Sequence, residues 1–288
     1  MGGSHEFEFE LTVKEPTYVI IQIYKTQVLS LLLNKSDVSI VADGQKNGEY
    51  TVTGCRDNDL MAEYKALELE MQRRSRTMET DEFDAYRHTA AKKFINKAGT
   101  SLVAITGTNL LKPEMEIDFM KNLADNLGKA YPNSPYVQRY RNNLTKTESF
   151  LPGNPVPNFS FMGVNSDTLQ LSNLKGKYIF IDFWSTKIPQ IGIDNKRLEA
   201  TYQTYKDKGF EMISICIDPK ENFEAWKKAK EGLSWKHIWD TEQLIARLYN
   251  VHAGNVPAGF LLDKEGKIIK KGLRGTTLSK EIHKLVTK

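Results

Sequence analysis

Thiol–disulfide exchange needs an exposed thiolate with a lowered pKa, favoured at a helix N-terminus, and a second cysteine three residues on that resolves the mixed disulfide. The chain holds only two cysteines, Cys55 and Cys216, in different predicted domains. One long-range disulfide could join them, but free cysteine is so often plain core that two unpaired, buried thiols are expected. Cys216 sits in the middle of the apolar run SICID and reads as inert strand packing. Cys55 lies in a turn between Gly54 and Arg56, which promises better exposure and a cation that would favour its thiolate. It reads as an incidental turn thiol, with a single reactive thiol as the alternative. The histidines His5, His88, His237, His252 and His283 show no ligand spacing such as i, i+4, so no metal is expected. Gly-Asn-Pro and Lys-Gly-Lys are turns without the strand-to-helix context of a phosphate loop. Trp226, Trp235 and Trp239 have the spacing of packing residues, and no cofactor is expected.

Composition narrows the classes further. A chain of 288 residues, 40% apolar and 26% charged, is long enough for two domains with buried cores. The net charge of +4 comes from lysines scattered among acids and aromatics, which gives no nucleic-acid stripe. No apolar run is long enough to span a bilayer. The start, MGGSHEFEFE, lacks the basic and apolar regions of a signal peptide, and Met1 to Ser4 look like a cloning remnant; any export signal is expected to have been removed.

Three segments must position whatever chemistry there is. Residues 5–56 read as a small antiparallel β domain: EFEFELTV, a turn at Glu15-Pro16, TYVIIQIY, LSLLLN, a polar break, then EYTVTG after Asn47-Gly48. It is expected to be truncated at its start, because so few strands leave an edge for something upstream to cover. Residues 57–147 change to a helical period, with Leu60, Tyr64, Leu67 and Met71 and then Phe83, Tyr86, Ala90 and Phe94. Within this helical connector Pro132-Asn133-Ser134-Pro135 is a turn, with Ser134 a candidate N-cap for the last helical segment, SPYVQRYRNNL. The proline-rich LPGNPVPN at 151–158 predicts an extended tether and a domain boundary. Residues 150–288 then alternate strands and helices, which predicts an α/β sheet covered on both faces with YIFIDF at its centre.

At this level the residues become specific. GNPVPNFSFMGVNSDTLQLSNLKGKYIFIDFWSTKIPQ, KGFEMISICID, Tyr249-Asn250-Val251, NVPAGFLLDKEGKII and LRG resemble, in that order, the thioredoxin-like superfamily. The similarity is to its TlpA-like thiol-disulfide oxidoreductase branch, itself related to peroxiredoxins. More loosely, FEFELTVKEPTYV, TVTG with Asn58 after it, and Tyr131 to Ser134 resemble the β domain and helical linker of exported proteins from gut-type anaerobes. The resemblance implies a Cys-x-x-Cys pair just after DFW, but Ile188 and Ile191 occupy those positions. A peroxidatic Thr-x-x-Cys would fall in the same loop and is missing too.

The resemblance also implies that Asp182 matches a buried acid that helps move protons, and that Pro257 matches a cis-proline facing the dithiol. With no thiol to serve, Asp182 reads as a solvated relic or a buried acid with raised pKa. Trp184, Lys187 and Gln190 could line a shallow groove, with Val256 and Pro257 offering backbone to an extended peptide; a solvated loop is the plainer reading. The expectation is therefore a cell-envelope or periplasmic protein of this family, redox-inactive, binding protein or peptide at the cis-proline face. It would have no nucleic-acid partner, no transmembrane segment and, in a longer natural chain, room for a lipid anchor. Two alternatives stay open: an oxidoreductase using Cys55, and a purely structural paralogue.

Overall fold

The computed structural model describes residues 6–46, 48–162, 168–189 and 191–287. His5, Asn47 and Gln190 lie outside the described residues. The chain divides into two compact units between Thr145 and Lys146.

In the first unit β1 (Thr17–Ile23) and β2 (Gln27–Leu33) form an antiparallel hairpin, from Thr17 opposite Leu33 to Ile23 opposite Gln27. β3 (Ser39–Ala42) and β4 (Tyr50–Thr53) form a second hairpin, so the expected polar break contains a short strand. The alternating segment before Glu15 is not a strand. Phe7, Phe9 and Leu11 are 72%, 75% and 58% exposed, and alternation makes a strand only where a neighbouring backbone accepts its hydrogen bonds.

Five helices follow: α1 (Arg56–Arg74), α2 (Thr80–Ala98), α3 (Ala104–Gly107), α4 (Pro113–Ala130) and α5 (Pro135–Ser149). Leu60 and Tyr64 of α1, Phe94 and Ile95 of α2, Leu123 and Leu127 of α4 and Tyr140 and Leu144 of α5 pack into one core with Leu32 of β2. The β strands and the helices, separated at residues 56 and 57 by their hydrophobic periods, thus share a single interior.

The join is made by Asn58, in the first turn of α1. Its carboxamide accepts a hydrogen bond from the Leu32 N–H at 2.9 Å and donates one to the Leu32 C=O at 3.0 Å. Cys55, just before α1, is drawn in beside it and is only 5% exposed, its Sγ 3.8 Å from the Leu32 carbonyl. The exposed turn thiol expected from Gly54 and Arg56 is therefore not found. Ser134 directly precedes α5 as expected, but its buried Oγ has no partner among the described residues. The first turn is closed instead by the Gln138 N–H donating to the Ser134 carbonyl at 3.1 Å.

The second unit opens with a small antiparallel pair, β5 (Ser160–Met162) and β6 (Thr168–Gln170). Then come β7 (Tyr178–Trp184), α6 (Ile191–Tyr205), β8 (Phe210–Cys216), α7 (Phe223–Ala229), β9 (Lys236–Trp239), α8 (Leu244–Leu248), β10 (Ala258–Leu262), β11 (Ile268–Lys271) and α9 (Gly275–Val286). Five strands form one sheet in the order β11-β10-β7-β8-β9, with β7, β8 and β9 parallel and β10 and β11 antiparallel. The central β7 is buried along nearly its whole length, as a continuous apolar run in a sheet covered on both faces requires. Residues 151–158 are not a free tether. Gly153 N–H donates to the Ile268 carbonyl, Ile268 N–H to Asn154 and Val156 N–H to Gly266, which pins this stretch beside β11.

Replacing Asn58 by alanine leaves the Leu32 N–H and C=O buried and unpaired. Asn58→Ala is expected to cost about 1–3 kcal/mol, read as a lowered urea midpoint with an unchanged m-value.

Candidate functional site: the loop after β7

Side chains alternate along β7. Ile179, Ile181 and Phe183 enter one apolar cluster with Ile213, Ile215 and Tyr249, while Phe180 and Trp184 belong to clusters on the other face. Asp182 shares this second face by the two-residue strand period. Parallel pairing sets Asp182 beside Ser214 and Trp184 beside Cys216. On the opposite side β10 sets Ala258 beside Phe183, and continuing that register by one residue brings Pro257 alongside Trp184. The chain thus leaves β7 between Cys216 and the Val256–Pro257 segment, whose peptide bond is cis.

The exit loop is held by Asp218, two residues beyond β8. Its Oδ1 accepts a hydrogen bond from the Ser185 hydroxyl at 2.5 Å, and its Oδ2 accepts from the Thr186 N–H at 2.8 Å and hydroxyl at 2.5 Å. Burial alone would raise the Asp218 carboxyl, but hydrogen bonds from Ser185, Thr186 and Asn222 outweigh it and hold the group below the ordinary carboxylate range.

Ile188 and Ile191, at the loop's end and the start of α6, are half-buried against Trp184, Cys216 and Trp226, with Phe223 and Trp239 in the same cluster. Trp226 and Trp239 stack at 5.3 Å with an interplanar angle of 13°. The two positions therefore carry aliphatic packing and no group that can attack, resolve or move a proton. Cys216, fully buried in this cluster, has its thiol pushed far up by burial, so it supplies no thiolate.

The other expected site residues divide. Lys187 and Pro257 are exposed and Val256 is half-buried. Trp184 is 1% exposed and lines no groove; it is the floor under the isoleucines. Asp182 is not solvated. It is fully buried and ion-paired with Arg274 Nη1. Asp218 and Arg274 were not singled out by the sequence, although Asp218 ends the quoted ICID run and Arg274 is the middle of LRG. Both ring nitrogens of His237 lack hydrogen-bond partners among the described residues, and burial lowers its pKa to about 4. Among the described residues no group of three His, Cys, Asp or Glu side chains is placed to hold a metal, and no helix is long and apolar enough to cross a membrane.

A mixed sheet with this order, a loop at the end of its central strand and a cis X–Pro bond beside that loop define a thioredoxin-like domain. Residues 152–271 match the AhpC/TSA family. The thiol-disulfide oxidoreductase ResA of Bacillus thuringiensis (strain Al Hakam) is 29% identical over 132 residues, which cover 46% of this chain and 75% of that protein. ResA of Bacillus subtilis (strain 168) is 27% identical over 136 residues, 47% of this chain and 74% of that one.

Among solved structures, the thioredoxin domain of a thiol-disulfide oxidoreductase from Bacteroides vulgatus is 30% identical and aligns over 47% of this chain and 97% of its own length, with a TM-score of 0.42. A thiol:disulfide interchange protein from Bacteroides sp. is also 30% identical, over 49% and 93%, with a TM-score of 0.43. Through its second unit the chain belongs to the thioredoxin-like superfamily, and the relatives it resembles there are thiol-disulfide oxidoreductases.

The lowered Asp218 pKa fixes the sign of a pH effect. The stabilisation is complete above the ordinary value of about 3.9 and is lost as pH falls through the depressed folded value. Asp218→Asn is expected to remove this acid limb and to speed hydrogen exchange of the Thr186 amide about tenfold or more at neutral pH. Unchanged exchange at Thr186, measured by NMR, would show that Asp218 does not hold the loop.

Proposed function

We propose that this protein is a redox-inactive, thioredoxin-like scaffold of the cell envelope that binds an extended segment of another protein beside Val256 and Pro257. The observation that carries the reading is the packing of Ile188 and Ile191 into the Trp184 cluster, where this family's dithiol would stand. The loop keeps its anchor on Asp218 and the sheet keeps its order, so the scaffold survives without the sulfur.

Support for binding comes from the segment just before β10. Among the described residues no backbone hydrogen bond engages Val256, while Pro257 and Lys187 are exposed near the end of β7. An extended peptide can pair with such a free backbone, with side-chain contacts adding selectivity. The periplasmic or envelope location follows the family resemblance, and fractionation of cells expressing the natural gene tests it. Burial of Cys55 argues against the single-thiol alternative, because a thiol 5% exposed has no access to a substrate disulfide.

Two outcomes are expected. With dithiothreitol as reductant, insulin reduction by the intact protein should not exceed a thiol-free control, and turnover well above that control would reject redox inactivity. Peptides selected from a displayed library on the intact protein should lose about fivefold or more in affinity, about 1 kcal/mol, on Val256→Asp or Lys187→Glu. Leu244→Asp, at an exposed position on α8, should leave them unchanged; equal losses in all three variants would sink the assignment of the binding face.

A further inference from the structure

We propose that residues 6–13 of one copy of this chain add as a strand to the outer edge of β1 in a second copy, so that two first units pair by strand exchange. The surface lies in the first unit, and the inference does not rest on the reading of the loop after β7.

The acceptor edge follows from the register of the β1–β2 hairpin. Tyr18 N–H donates to the Tyr136 hydroxyl at 3.2 Å, while Leu32 opposite it bonds Asn58, so both residues point their backbone groups away from the hairpin. Backbone direction alternates along a strand, which turns the N–H and C=O of Ile20 and Gln22 outward on the β1 side as well. Among the described residues nothing meets them, and β1 pairs with β2 alone. The strand carries no charge, proline or register shift, the devices that usually blunt an edge. Ile20 and Val28, on one face of the hairpin, are 72% and 60% exposed.

The same chain supplies a strand that fits. Residues 6–13, EFEFELTV, alternate as a half-buried strand does, yet among the described residues no backbone hydrogen bond engages them and Phe7, Phe9 and Leu11 stand exposed. Return to β1 within the same copy is obstructed. Glu15 accepts the Asn133 N–H at 3.3 Å and the Thr17 hydroxyl at 2.8 Å, and Tyr136 occupies the near end of the edge at Tyr18.

Antiparallel addition with Phe9 opposite Ile20 and Phe7 opposite Gln22 satisfies all four outward groups, because each such pair exchanges two hydrogen bonds. Phe7, Phe9 and Leu11 then lie on the face of Ile20 and Val28. Glu6, Glu8 and Glu10 fall on the reverse side, with Glu6 nearest Lys25 at the hairpin's tip. In a symmetric exchange these five apolar side chains from each copy cover on the order of 1,000 Å², the low end of specific interfaces. The pair is accordingly a weak, reversible dimer.

Sedimentation velocity on the intact protein tests this, with half-association expected at about 10–100 µM. Gln22→Pro removes one outward N–H and leaves the β1–β2 bonds in place, and Phe9→Asp puts a charge on the added strand. Each should weaken association about tenfold or more, while Leu69→Asp, at an exposed position on α1, should leave it unchanged. An equimolar mixture of the Gln22→Pro and Phe9→Asp proteins should associate more strongly than either alone, since one copy keeps a sound strand and the other a sound edge. A dimer indifferent to Phe9→Asp, or a mixture no stronger than its components, would overturn the proposal. So would a monomer up to about 100 µM; protection of the Ile20 and Gln22 amides from hydrogen exchange in that monomer would show residues 6–13 folding back within one copy. If Gln22→Pro does not fold, the comparison with Phe9→Asp decides.

Discussion

Everything at the site depends on the burial of β7 between a parallel and an antiparallel neighbour. All seven residues of YIFIDFW pair with β8 on one side, and Ile179 to Phe183 pair with β10 on the other. That pairing sets what can meet at the strand's end. Cys216 stands beside Trp184, Pro257 comes alongside from the other flank, and Asp218 receives the first donors of the loop. Because a one-residue slip would reverse every side chain on the strand, the same register keeps Asp182 and Trp184 on one face and Phe183 in the opposite core.

Against this frame, the replacement of two reactive positions is a packing event. A dithiol at a helix start has to remain accessible to a partner disulfide. Isoleucine has no such requirement, and Ile188 and Ile191 each cover part of an aromatic cluster, contributing about 1 kcal/mol apiece as half-buried aliphatic side chains. Trp184, the floor of that cluster, has an indole N–H without a partner among the described residues, so the cluster is held by apolar contact. The neighbouring polar network runs separately, from Trp235 through Ser214 to Asp182 and Arg274. Loop and acid are thus secured by different means, one by aromatic packing and the other by an ion pair.

The first unit shows a related economy. Asn58 meets both polar groups of Leu32, and this one side chain ties the hairpin to the helices. It closes part of the β2 edge that would otherwise offer free backbone groups. Cys55 is buried as a by-product, which removes the only thiol that the sequence placed in an accessible turn.

Local sequence determined a good deal. The change from a two-residue to a helical period marked where strands give way to helices, the continuous run YIFIDF identified the central strand, and the absence of cysteine after DFW was decided by composition alone. These features reside in neighbouring residues, where period and residue type act directly. What only the tertiary structure decided are the meetings of residues far apart: Arg274 with Asp182, Asp218 with the loop after β7, Asn58 with Leu32, and the pinning of residues 151–158 beside β11. The same limit explains the two overestimates of exposure, at Cys55 and Trp184. A turn or a strand end reads as open when its neighbours in sequence are polar, but burial is set by whichever distant segment packs over it.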